Sequence, residues 1–205
     1  AEARASRSRD LGERAAILAR AAVVARDEVG DATRAAALFE QALEFDPSEH
    51  EAATALAAME VERGAWPRAI ELLRVVADVA APALAFGGQF GVLVTLGRAC
   101  AEVGDAAGAR DAYERAYAVA PGDLFVAARL TVLYALEGRY ADASRAFAFV
   151  DNRLHDIEPI ERLEVLFELG RAAHAAGDKA AARGLFERAL AVDPDDEPTL
   201  RALAA

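Results

Sequence analysis

The stretch Gly104-Asp105-Ala106-Ala107-Gly108-Ala109-Arg110-Asp111-Ala112-Tyr113-Glu114-Arg115-Ala116 carries the pattern that decides the fold. Counted from its glycine, Ala109 falls five residues on, Tyr113 nine and Ala116 twelve. Gly177-Asp178 leads to Ala182, Phe186 and Ala189 at the same offsets, and Gly30-Asp31 leads to Ala35, Phe39 and Ala42. Two variants complete the set: Gly64 precedes Ala69, Leu73 and Val76, and Gly138 precedes Ala143, Phe147 and Val150. Five copies in one register make the chain a repeat array.

The marker glycines Gly30 and Gly64 lie 34 residues apart, as do Gly104 and Gly138, whereas the other two gaps are 40 and 39. Two insertions follow, around Ala81 to Gly88, with Pro82 and Gly87-Gly88, and around Asp151 to Pro159. Both read as connectors. Each marker glycine stands between two amphipathic stretches, where a residue of positive φ turns the chain from one helix into an antiparallel partner. In three repeats the next residue is Asp, which caps the following helix and suits its positive end. Pro47, Pro121 and Pro194 each sit seventeen residues after their glycine, where they stop the second helix. Ala35, Ala109 and Ala182 let the two helix axes approach, and the aromatic four residues later fills the space beside them.

The pattern resembles the tetratricopeptide repeat family, a 34-residue helix-turn-helix module with small residues at its eighth, twentieth and twenty-seventh positions and proline at its thirty-second. Repeats run at about 15–49, 50–83, 90–123, 124–157 and 163–196, and Leu96-Gly97 and Leu169-Gly170 match the seventh and eighth positions. The resemblance implies an all-α fold, a right-handed α-solenoid of stacked antiparallel helix pairs in one domain over 1–205. Residues 197–205, with Pro198-Thr199-Leu200-Arg201-Ala202-Leu203, read as the start of a helix capping the last hairpin. Two departures stand out. Strict spacing puts Arg26 where the family usually buries an aromatic, and a one-residue extension of that helix places Ala25 there instead, which we prefer. Glu60 holds the same position in the second repeat without that escape.

Composition narrows the function classes. The chain has 205 residues, 55% of them hydrophobic, enough for a core, with aromatics at only 7%. A net charge of −11 argues against a nucleic-acid partner, whose phosphates require clustered Lys and Arg. Positive charge is almost entirely arginine, Lys179 being the sole lysine. Cys100 is the sole cysteine, so neither an intramolecular disulfide nor a cysteine-based zinc site is available. No apolar run reaches membrane-spanning length, and the first residues lack a signal-peptide layout. A soluble chain is expected, cytoplasmic in preference to periplasmic, although the start at Ala1 without methionine suggests an excised or processed segment.

No phosphate-binding glycine loop, histidine pair at metal spacing or serine nucleophile elbow is present, so no enzyme activity, cofactor or metal is expected. His50, His155 and His174 belong to different repeats. Asp193-Pro194-Asp195-Asp196-Glu197 has the charge of a cation site but sits where a helix begins, and capping is the better account. Cys100 reads as a small apolar filler, and Trp66 and Tyr140 as aromatics packing their turns. The family resemblance implies that first helices line a concave face with positions two, five, nine and twelve of each repeat. On this chain that lining comprises Thr54, Ala58, Val61, Val94, Arg98, Phe125, Ala128, Val132, Phe167, Arg171 and His174, with Arg20, Val23 and Val24 added if the first register allows. Apolar and small residues dominate this face of an acidic chain, which points to a protein or peptide partner. The Lys and Asn clamp of the best-known chaperone-binding members is missing: Arg20, Ala55, Gly91 and Thr95 stand there. The expected function is a non-catalytic interaction scaffold or adaptor binding a peptide or helical segment in the groove. The alternative is a regulatory or substrate-recruiting region of a larger enzyme or assembly. Exposed array ends also leave room for self-association.

Overall fold

A computed structural model describes residues 2–77 and 86–204, with side chains from residue 10 onward. The described residues are all-α: α1 (Glu2–Asp27), α2 (Ala32–Phe45), α3 (His50–Glu62), α4 (Trp66–Ala77), α5 (Gln89–Glu102), α6 (Ala106–Val119), α7 (Leu124–Leu136), α8 (Tyr140–Val150), α9 (Pro159–Ala175), α10 (Lys179–Val192) and α11 (Glu197–Ala204). They group into two compact units, Ala1–Ala112 and Tyr113–Ala205, whose boundary falls inside α6. In the first unit α1 packs on α2, α2 on α3, α3 on α4 and α4 on α5. In the second, α7 packs on α8 and on α9, α9 on α10, and α10 on α11. Most of the insertion expected around Ala81 to Gly88, and the end of the repeat reaching to 83, lie outside the described residues.

The marker glycines make the hairpins. Gly64, Gly104, Gly138 and Gly177 have φ between 69° and 86°, the left-handed region that a Cβ disfavours. At each, the following N–H closes back on the carbonyl five residues earlier: Ala65 on Glu60 (2.9 Å), Asp105 on Cys100 (2.8 Å), Arg139 on Tyr134 (2.8 Å) and Asp178 on Ala173 (2.9 Å). This is the Schellman closure of a helix end. After α1 the equivalent Asp31 N–H bonds to Ala25, six residues back, so that turn holds one more residue. Ala25 is consequently buried, while Arg26 turns its guanidinium to Asp27 at 2.7 Å, which is the extension preferred from the sequence.

The carboxylates of Asp31, Asp105 and Asp178 accept from the N–H groups of Arg34 (2.9 Å), Gly108 (2.9 Å) and Ala181 (3.0 Å), capping α2, α6 and α10. Asp196 of the acidic run does the same at the entry to α11, accepting from Thr199 N–H (2.9 Å), while Asp193, at the end of α10, accepts from Asp195 N–H (3.0 Å) in the intervening turn. Behind the turns, Ala35, Ala69, Ala109 and Ala143 are fully buried and Ala182 is 2% exposed. Glu60 is accommodated by folding back on Arg63 at 2.9 Å. Cys100 is buried, and burial, its largest influence, raises the thiol pKa. The second insertion includes a short 3-10 segment, Asp151–Asp156, that buries Leu154; Ile157, just after it, is also buried, and Arg162 donates to the carbonyls of His155 (3.2 Å) and Ile157 (2.9 Å) to hold its exit.

Candidate functional site

The first helix of each hairpin carries the residues expected to line a binding face. In the first unit, Thr54 on α3 is buried and donates its hydroxyl to the His50 carbonyl of its own helix at 2.6 Å. Ala58, Val61 and Val94 are half-buried and Arg98 is exposed. On α1, Val24 is exposed, and Arg20 is exposed with its Nε donating to the Ala16 carbonyl at 3.2 Å.

The second unit separates the expected lining into core and surface. Ala128 and Val132 on α7 are buried in one cluster with Val165, Leu166 and Leu169 of α9, so their side chains serve the packing of successive first helices. Phe125 stays half-exposed, with its ring edge-on to Tyr113 at 6.2 Å between centroids and an interplanar angle of 74°. Arg129, one turn along, stacks its guanidinium 5.5 Å from the Phe125 centroid. That guanidinium is fixed by Glu164 at 3.0 Å and by Glu161, both on α9.

The arrangement recurs one hairpin later. Phe167 is half-exposed, 6.1 Å from the Phe186 ring, with Arg171 placed 5.9 Å from its centroid and held by Glu168 at 3.1 Å. His174 is exposed one turn beyond. Two aromatic rings, each with an arginine across its face, therefore project from α7 and α9. Such pairs present apolar area and hydrogen-bond donors together. Among the described residues no three His, Cys, Asp or Glu side chains converge to hold a metal ion. No described helix is long and apolar enough to cross a membrane.

Arg129 was not among the residues singled out from the sequence. Its signal was present as an arginine four positions after Phe125, on the same helical face. A second omission is a cleft of about 450 Å³ between α9, α10 and α11, lined by His174, Lys179, Ala182, Arg183, Phe186, Ala202 and Leu203. Sequence periodicity directs attention to first helices, whereas this cleft takes much of its wall from a second helix. Trp66 sits against its turn, its indole nitrogen 4.0 Å from the place a Cβ on Gly64 would take. Tyr140 reaches further, donating its hydroxyl to the Asp178 carboxylate at 3.3 Å.

Residues 163–196 match the family model described as the tetratricopeptide repeat. No curated protein matches the sequence. Among solved structures the chain is similar to YrrB, a TPR protein with an unusual peptide-binding site, at 20% identity and a TM-score of 0.65, covering 88% of this chain and 87% of that one. A structure of MamA (AMB-1) is 26% identical, with 74% and 83% covered and a TM-score of 0.58. PilF of Pseudomonas aeruginosa is 18% identical, with 93% and 81% covered and a TM-score of 0.57. Residues 163–196 thus carry a tetratricopeptide repeat, and the chain shares the fold of solved tetratricopeptide-repeat proteins.

Proposed function

We propose that the chain is a non-catalytic scaffold that holds a peptide or helical segment of another protein against its first helices. The observation that carries this reading is the pair of half-exposed phenylalanines, Phe125 and Phe167, each under an arginine that α9 carboxylates hold in place. Burying these rings supplies the affinity, at about 25 cal/mol per Å² of apolar area before association costs. Arg171, oriented by Glu168, has further N–H groups to offer a carbonyl or carboxylate of the bound segment. In the first unit, half-buried Ala58, Val61 and Val94 and exposed Arg98 are the residues that would extend this face. YrrB, which shares the fold, has an unusual peptide-binding site, and this supports the same class of ligand here.

Affinity capture from the native source with mass spectrometry tests the reading, using the chain and its F125A/F167A double variant. Circular dichroism first establishes that the variant keeps its helices. Partners that copurify with the parent and disappear with the variant support the assignment. An unchanged set of partners overturns it.

A further inference from the structure

The cleft between α9, α10 and α11 differs in charge from the rest of the molecule. Its floor is apolar, formed by the buried Phe186 and Ala182 with Ala202 and Leu203, while its rim carries His174, Lys179 and Arg183. Arg171 joins this rim through an adjoining hollow of about 170 Å³ that shares His174, Phe186 and Ala202. A chain of net charge −11 thus gathers three permanent cations and a histidine around one cleft whose lining is about half apolar.

The neighbouring carboxylates do not neutralise this rim completely. Glu168 engages Arg171 at 3.1 Å and Glu187 engages Arg183 at 2.8 Å. Asp178 is occupied as the cap of α10, accepting from Ala181 N–H at 3.0 Å, and by the Tyr140 hydroxyl at 3.3 Å. Glu197 pairs with Arg201 on α11. Among the described residues Lys179 and His174 form no ion pair, unlike Arg171 and Arg183. The sole lysine of the chain therefore lines this cleft unpaired among the described residues.

We propose that this cleft binds an acidic segment of a partner protein, one large apolar side chain entering over Phe186 and flanking carboxylates meeting Lys179, Arg183 and His174. The proposal deepens the scaffold reading and rests on it, adding the partner's chemistry and a second-helix wall to the Phe167 and Arg171 surface. Charge complementarity selects this occupant: a second copy of the chain brings its own strong negative charge but must present an acidic and apolar segment at the contact, while a basic segment is repelled.

An array of short peptides, each with one Leu, Ile or Phe between Asp and Glu residues, tests it on the intact protein. Counterparts with Lys in place of the acids serve as controls. The acidic peptides should bind and the basic ones should not, with affinity falling as ionic strength rises. K179E with R183E should weaken binding about tenfold or more. Both residues are exposed, and a carboxylate at the first position of α10 suits the helix dipole, so the fold should persist. A202F, which fills the pocket without changing charge, should also abolish binding.

Equal binding of acidic and basic peptides, no binding of either, or affinity indifferent to both sets of substitutions overturns the proposal. So does a rise in mass with concentration, by light scattering, that both variants abolish, since a second copy is then the occupant. If F125A/F167A loses copurifying partners while K179E/R183E keeps all of them and the array is silent, the scaffold reading stands and this cleft assignment fails.

Discussion

A methyl group added at Gly170 would lie 2.6 Å from the Phe186 ring, closer than carbon atoms tolerate, whereas one added at Gly184 meets nothing within 4 Å. Both glycines are helical, so the same substitution should have opposite signs. Gly170→Ala should cost about 1–3 kcal/mol through overpacking, and Gly184→Ala should stabilise by about 0.5–1 kcal/mol through helix propensity and unfolded-state entropy. Urea unfolding of both variants settles the contrast, and equal effects would contradict the packing assigned to α9 and α10. Titration exposes a second residue. Burial first, and a hydrogen bond donated to Glu114 second, push the Tyr134 hydroxyl up to about 12. A raised folded pKa means a contribution that is complete below the unfolded value near 10 and is lost as pH rises through 12. Phenolate absorbance should contain a Tyr134 component near pH 12. Y134F should remove that component, and E114Q should bring it to lower pH.

At the scale of elements, the hairpins were legible because their determinants are local. A glycine of positive φ, an Asp that caps, and a proline seventeen residues later act within a few residues of themselves, and the first-repeat extension could be argued from Arg26 and Ala25 alone. Whether an apolar residue on a first helix faces solvent or its neighbour is not local. Ala128 and Val132 sit in the periodic positions expected of a binding face, yet α9 lies close enough to bury them. Likewise Leu154 and Ile157 turn an expected connector into part of the core, because Arg162 ties down its carbonyls. The hinge chemistry makes a direct prediction. Gly104→Ala places a Cβ at φ 77° and should cost about 1–2 kcal/mol. Asp178→Ala removes the cap of α10 and should cost about 1 kcal/mol. Thermal unfolding measures each, and a cap variant as stable as the parent would remove Asp178 from the closure of its hairpin.

For the whole molecule, the strong helix contacts among the described residues join neighbours in sequence, or the first helices of successive hairpins within the second unit. Stability in such a chain is a sum of hairpin terms and nearest-neighbour terms, so damage should stay near its origin. Leu166 on α9 is fully buried beside Val132 of α7 and Leu185 of α10. Leu166→Ala should cost about 2–5 kcal/mol and, under native conditions, should release the amides of α7 to α10 to hydrogen exchange. Those of α1 to α4, which belong to the first unit, should keep their protection. A uniform loss across all helices would mean that the chain opens as one cooperative body, and the additive account would then be wrong.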